Sequence, residues 1–379
     1  MKKLIAMLLA LVMVLSLVAC GAKKADDTIM IGGIGPLTGD YANYGNSTKN
    51  GAQIAVNEIN AAGGIAGLQI TLDFQDSVGD PDAATAAYGK LIDSGMDLSL
   101  GGVLSGETAS ITAAAVEDAI PMLTPTASAD DCIATNPNAF RVCFTDSSQG
   151  VVSADYIADK ALATDVAVLY QSDIDYSKGL YDTFAAECAV RGINIVETQT
   201  FTADTNTDFS TQINALATSG AKLIFIPIYA AEASVFLTQA SGKLAEDTIF
   251  FGADGLDGIL GKVSDPMYAE NVMMITPFNA NDPAENVASF VKAYEAAYGA
   301  TPDQFAADGY DAVYALKAAV EKAGVKPGDK DFNAKVVAAM LEISVEGVTG
   351  TMTWVADGNT VKDPKVLIIH DGVAVPFEG

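Results

Sequence analysis

The sequence predicts an α/β protein of two lobes with mainly parallel sheets. Short apolar runs alternate with longer stretches of helical periodicity through most of the 379 residues, and helices of this length between strands imply right-handed βαβ crossovers. The alternation comes in two successive series, which implies two lobes. Half of the residues are hydrophobic, enough for two cores at the usual domain size of about 100 to 200 residues.

The chain opens on a leader. Lys2 and Lys3 precede an apolar run over residues 4–19, shorter than the roughly 20 residues a membrane span needs, so residues 1–19 read as a signal that is removed. The run ends in Leu17, Val18, Ala19, Cys20 and Gly21, which resembles the lipobox of bacterial lipoproteins. That resemblance implies a diacylglyceryl group on Cys20 and leaves residues 20–27 as anchor and linker. An ordinary secretory signal with a chance cysteine is the competing reading.

The first series begins with a strand at residues 29–32. A helix over 45–62 follows, with Ala52, Ala55, Val56 and Ile59 on one face and Gly63 as its stop. Leu68, Ile70, Leu72 and Phe74 alternate as a strand, and Asp80 and Pro81 read as N-cap and first residue of a helix reaching Ser94. Strand 98–103, helix 108–119 and strands 121–124 and 140–144 complete the series. The second runs through helix 150–162, strand 166–170, helix 178–191, strand 193–198, helix 209–219, strand 223–228, helix 231–240 and strand 249–252. After a strand at 272–276, residues 284–340 read as almost wholly helical, and the tail as a hairpin of 351–354 with 365–369 around Asp357, Gly358 and Asn359.

The formal charge of −27 argues against nucleic acid and anionic lipid surfaces as partners. Lipidation of Cys20 would leave Cys132, Cys143 and Cys188. Cys132 and Cys143 flank a loop containing Asn136, Pro137 and Asn138, so an external disulfide between them requires Cα atoms within about 7 Å. Two free thiols is the alternative. Cys188 falls within a helical pattern and reads as an inert buried thiol.

The stretch Ile31-Gly32-Gly33-Ile34-Gly35-Pro36-Leu37-Thr38-Gly39, followed by Tyr44-Gly45, Asn50-Gly51-Ala52 and Glu58-Ile59-Asn60-Ala61-Ala62-Gly63-Gly64, resembles the leucine/isoleucine/valine-binding family of ABC importer receptors, which has the type I periplasmic-binding fold. Asp80-Pro81, Thr124-Pro125, Phe140-Arg141 and Gln149-Gly150 extend the likeness over essentially the whole mature chain. The resemblance implies two Rossmann-like lobes joined by a multi-crossing hinge and closing around a ligand. Crossings near residues 144–150, 276–282 and 348–352 would divide the chain into an N-terminal lobe of 28–146 plus 277–348 and a C-terminal lobe of 147–276 plus 349–379. It further implies an extracytoplasmic, lipid-anchored monomer with no cofactor and no enzymatic activity. Such a protein captures an amino acid, branched-chain or related, for an ABC permease and its separate ATPase. One departure concerns ligand identity: the family member with branched-chain specificity has a disulfide near the 75–80 loop, and no cysteine occurs there.

Ligands of open parallel sheets lie beyond the carboxyl ends of strands, where helix N-termini present unpaired N–H groups. Ser105-Gly106-Glu107-Thr108 follows a strand and opens a helix, and Thr126-Ala127-Ser128 follows the next strand. Their hydroxyls and N–H groups suit an α-carboxylate, and the Ser105 to Ser128 spacing is also that of the family's carboxylate-binding pair. Read without the family, Ser105 is an N-cap and the second loop a polar turn. In the second lobe Tyr229 ends a strand and Asp254 lies just past another. By resemblance Asp254 stands where a carboxylate receives the ligand's ammonium, with Tyr229 beside it, and Tyr44 and Tyr176 match positions lining the cleft. Read alone, Asp254-Gly255 is a turn and each tyrosine is packing.

Other chemistries find no matching motif. Gly33, Gly35 and Gly39 are spaced one residue too long for a dinucleotide loop, and Pro36 removes a donor. Residues 255–262 miss a phosphate loop, and 102–106 miss a nucleophile elbow by one position. His370 is the one histidine, which excludes a histidine-rich metal site, and the cysteines lack zinc-ligand spacing. Two alternatives stay open: a sensor of the same fold for amides or short peptides, and an extracytoplasmic hydrolase using Glu107 with Asp254.

Overall fold

Two sheets organise the chain. The computed structural model describes residues 28–377, so the leader, Cys20 and the linker lie outside the described residues. The first sheet holds β1 (Thr28–Gly35), β2 (Gln69–Asp76), β3 (Leu98–Ser99), β4 (Met122–Thr124) and β5 (Ala139–Arg141), all parallel in the order β2-β1-β3-β4-β5. Helices α1 (Ala42–Ala61), α2 (Pro81–Asp93) and α3 (Ser105–Ala114) make its crossovers. The second series follows with α4 (Asp146–Asp159), β6 (Asp165–Gln171), α5 (Asp175–Arg191), β7 (Asn194–Phe201), α6 (Ser210–Ser219), β8 (Leu223–Phe225), α7 (Ala230–Ala240), β9 (Ile249–Gly252) and β10 (Val272–Thr276). Those five strands are parallel in the order β10-β9-β8-β6-β7.

Local chemistry sets the helix ends. Asp80 caps α2, its carboxylate accepting from Ala83 N–H at 2.8 Å with Pro81 as first helical residue, as the sequence predicts. The helical stretch at 284–340 is three helices: α8 (Glu285–Tyr298), α9 (Gln304–Ala323) and α10 (Phe332–Met340). Gly299 and Gly324 stop the first two in the left-handed conformation, at φ 69° and 64°. Helix α9 packs on α1 of the first lobe at very short range. A Cβ at Gly51 would sit 1.8 Å from Ala306 O, and one at Gly309 would sit 2.3 Å from Thr48 O, so only glycine permits the approach.

The tail departs from the expected hairpin and from a second lobe beginning at residue 349. The hairpin is β11 (Ser344–Gly347) with β12 (Gly350–Thr353), and Asp311 of α9 holds its turn by accepting from Val348 N–H and Thr349 N–H, both at 2.9 Å. Met352 and Trp354 bury in the first core beside Ile31, Leu123 and Leu316. Trp354 also donates its indole N–H to Arg141 O at 2.8 Å. A large aromatic with a polar edge thus ties residues 350–354 to the first lobe. Only then does the chain return, as β13 (Lys365–His370) antiparallel to β10 and β14 (Val373–Pro376) antiparallel to β13. Three passages therefore link the sheets: β5 to α4, β10 to α8, and β12 to β13.

Cys132 and Cys143 are free and buried, which corrects the expected external disulfide. The loop between them folds inward, and both thiols point at the same acceptor, Ala127 O, at 3.6 and 3.3 Å. Burial pushes the Cys132 thiol up to about 12 and raises the Cys143 thiol well above its ordinary value, away from thiolate chemistry. Cys188 is likewise free and buried.

Arg141 is the largest fully buried side chain that carries a charge. Its guanidinium donates to the carbonyls of Ala127, Ser128, Ala129 and Asp130 at 2.8 to 3.2 Å, which fixes the loop after β4. Replacing it removes a charged donor from each of those carbonyls. Arg141→Met should lower folding stability by about 2 to 4 kcal/mol in urea denaturation, and a change under about 1 kcal/mol would show that water takes over the carbonyls.

Candidate functional site

All seven predicted ligand residues, Tyr44, Ser105, Thr126, Ser128, Tyr176, Tyr229 and Asp254, line a single cavity between the two sheets, with Val103, Leu104, Gly255 and Phe305. Ser105 is the first residue of α3, one place inside the N-cap, which is Leu104. Leucine cannot cap, so Glu107 reaches back to Leu104 N–H at 3.2 Å. Ser105 Oγ accepts from Ala129 N–H at 3.1 Å, which leaves its proton free to donate into the cavity. Thr126 spends its hydroxyl proton on Val103 O at 2.7 Å, so that hydroxyl has no proton left for a carboxylate.

The opposite wall is aromatic and acidic. Tyr176, from the first turn of α5, and Tyr229, ahead of α7, stack with ring centroids 4.5 Å apart and planes 4° from parallel. Tyr176 O–H donates to Asp254 Oδ1 at 2.8 Å and accepts from Gly255 N–H at 2.8 Å. Asp254 sits on a 3₁₀ turn just past β9 and is 4% exposed. Burial raises its carboxyl to about 6, against the lowering effect of Tyr176, Gln149 and Gly255. Among the described residues no ion pair reaches Asp254, so it is a buried carboxylate held by neutral donors.

Tyr44 ties the two walls together. From α1 its hydroxyl donates to Gly255 O and accepts from Ala230 N–H, both at 2.7 Å, and its ring lies 4.6 Å from Phe305. Gln304 donates its side-chain N–H to Asp254 O at 2.9 Å, and Tyr41 O–H donates to Glu232 Oε1 at 2.8 Å. These bonds join first-lobe residues to second-lobe ones. The space left at the centre is ≈ 10 Å³, about one water-sized sphere.

Four contributors escaped the sequence reading. Gln149 accepts from Asp254 N–H at 2.9 Å, and Gln304 and Phe305 arrive at the start of α9 from residues far along the chain. Asp146, at the start of α4, is completely buried, and both carboxyl oxygens lack a partner. Burial, then the charge of Asp254, pushes its carboxyl far above the usual range, and the Ser128 hydroxyl faces it. Residues 149 and 150 were already part of the family likeness, but no spacing rule assigns Asp146 to the cavity. Glu107 is turned the other way, bonded to the Ser77 hydroxyl, and does not line the cavity. The pairing of Glu107 with Asp254 that a hydrolase would require is therefore absent.

Residues 28–367 match the family model described as periplasmic binding protein. The chain is 31% identical over 342 residues to Leu/Ile/Val-binding protein homolog 3 of Brucella melitensis, covering 89% of this chain and 90% of that one. It is 27% identical to the leucine-, isoleucine-, valine-, threonine-, and alanine-binding protein of Pseudomonas aeruginosa, over 88% of each. Among solved structures, the branched-chain amino acid transporter substrate binding protein LivJ of Streptococcus pneumoniae, in complex with isoleucine, superposes with a TM-score of 0.84 at 30% identity, covering 92% of this chain and 97% of that one. The chain therefore belongs to the periplasmic binding protein family, with the type I fold and its place outside the cytoplasm.

Proposed function

We propose that the protein captures a branched-chain or related α-amino acid, closes its lobes around it, and presents it to an ABC permease driven by a separate ATPase. One observation carries this reading. A helix N-terminus and the Ser105 and Ser128 hydroxyls face a buried carboxylate, Asp254, across a cavity with apolar sides at Val103, Leu104 and Phe305. That is the complement of a zwitterion with an apolar side chain: donors for the carboxylate, acceptors for the ammonium, and no cation competing for Asp254.

With only ≈ 10 Å³ between the walls, an amino acid enters only when the lobes part. Bonds such as Tyr44 to Gly255 and Tyr41 to Glu232 must then break and re-form, as in hinge closure. The protein works as a monomer held at the membrane by lipid on Cys20. Among the described residues no helix is long and apolar enough to cross a membrane.

Three measurements test the reading. Asp254→Asn should weaken binding of leucine, isoleucine or valine in calorimetry by about 2 to 5 kcal/mol, at least thirtyfold, because the ammonium loses its charge partner. Undiminished affinity in the folded variant would mean the wrong site or the wrong ligand class. The pH dependence has a definite sign: the carboxyl of Asp254 is neutral below about 6 and must ionise to hold an ammonium, so affinity rises as pH rises through that value. At pH 5 about one molecule in ten is ionised, and leucine should bind about tenfold more weakly than at pH 8; a flat profile would move the ammonium away from Asp254. Cys20→Ser should leave ligand binding intact and release the protein from the membrane fraction, and continued tight membrane association would refute the lipid anchor.

A further inference from the structure

Beside the second chain passage lies a larger cavity of ≈ 580 Å³, within the range of about 300 to 1,000 Å³ common for small-molecule sites. Both lobes build it. Asn43 and Ser47 of α1 and Asp303, the cap of α9, come from the first; Asp257, Leu260 and Ile369 come from the second. Its sides are largely apolar, its charged side chains are Asp257 and Asp303, and no basic residue among the described ones lines it.

The polar groups converge without a cation. Asp303 accepts from Ser47 Oγ at 2.7 Å and Ala306 N–H at 2.9 Å, and Asp257 accepts from Gly258 N–H at 2.9 Å and Gln304 N–H at 2.8 Å. Neutral donors thus satisfy both carboxylates while leaving their charge uncompensated. Burial, then the charge of Asp303, raises Asp257 to about 7. The side-chain amide of Asn43 adds an independent sign: its nitrogen and its oxygen are both buried and both lack a partner. The nitrogen of that amide and Asp303 Oδ2 meet at Gly258, each 3.7 Å from where a Cβ there would stand.

We propose that this cavity is a second binding site, for a small organic cation consisting of a primary ammonium on an apolar body. The ammonium sits between Asp257 and Asp303, the unpartnered Asn43 amide turns over to offer its carbonyl as a third acceptor, and the body lies against Leu260, Phe278 and Ile369. Three acceptors suit the three protons of an ammonium. The site is linked to the first pocket, because Gln304 bonds Asp257 through its N–H and Asp254 O through its side chain, and Asp257 N–H bonds Asp254 O at 2.9 Å. An occupant that joins Asp257 to Asp303 joins the lobes, so it favours their closed arrangement.

The test uses phenethylammonium and its neutral counterpart 2-phenylethanol, titrated at pH 8, where Asp257 is ionised, and followed by backbone amide chemical shifts. Phenethylammonium should bind at least tenfold more tightly than the alcohol, with shifts concentrated at Gly258, Gly261 and Gly372. Asp257→Asn combined with Asp303→Asn should weaken it at least tenfold. Gly261→Leu keeps both carboxylates and places a side chain where nothing lies within 4 Å of a new Cβ, so it should block binding by filling space even if the double variant fails to fold. No binding, equal binding of the two probes, shifts centred on Ser105 and Ser128, or undiminished binding in Gly261→Leu would overturn the proposal.

Discussion

A carboxylate buried without a cation, Asp254, sets the terms for the rest of the ligand cavity. Moving an unpaired charge out of water is costly, and the protein offsets part of that cost with neutral donors around a fixed backbone turn. Tyr176 and the amide of Gly255 hold the carboxyl, while Gln149 and Gln304 hold the peptide on either side of it. What remains is an electrostatic deficit that an ammonium can fill.

Holding such a deficit requires a rigid frame, and the first lobe supplies one. Arg141 binds four successive carbonyls of the loop that carries Thr126 and Ser128, and Glu107 ties the start of α3 to Ser77. Neither side chain lines the cavity. Donors arranged in advance lose little entropy when a carboxylate arrives, so binding free energy is left over for closing the lobes.

The fold was legible because parallel strands and their crossover helices leave periodic apolar patterns. Strands at Ile249–Gly252 and Val272–Thr276 fell where the pattern put them, and so did the cap at Asp80. The first-pocket residues Ser105, Thr126, Ser128, Tyr229 and Asp254 were legible because strand ends mark themselves in the sequence, and the family likeness supplied their roles. Tyr44 and Tyr176 came from the likeness alone. What stayed hidden depended on tertiary neighbours. Asp146 reads as an ordinary helix-start acid, Gln304 and Phe305 lie in a featureless helical stretch, and Trp354 reads as a hairpin strand residue of the second lobe. The shape of the loop after β4 also leaves no local mark, since the guanidinium that holds its carbonyls belongs to Arg141, at the end of β5.

The placement of Met352 and Trp354 in the first core has a consequence for biogenesis. That core begins at Ile29, so the lobe that starts first is completed nearly last. A chain delivered N-terminus first across a membrane cannot close this hydrophobic unit until almost its whole length has emerged. Loop closure over such a separation is slow, and the unfinished sheet has no helix α9 to cover it. The first lobe thus cannot complete its core until residues 352 and 354 are available to it.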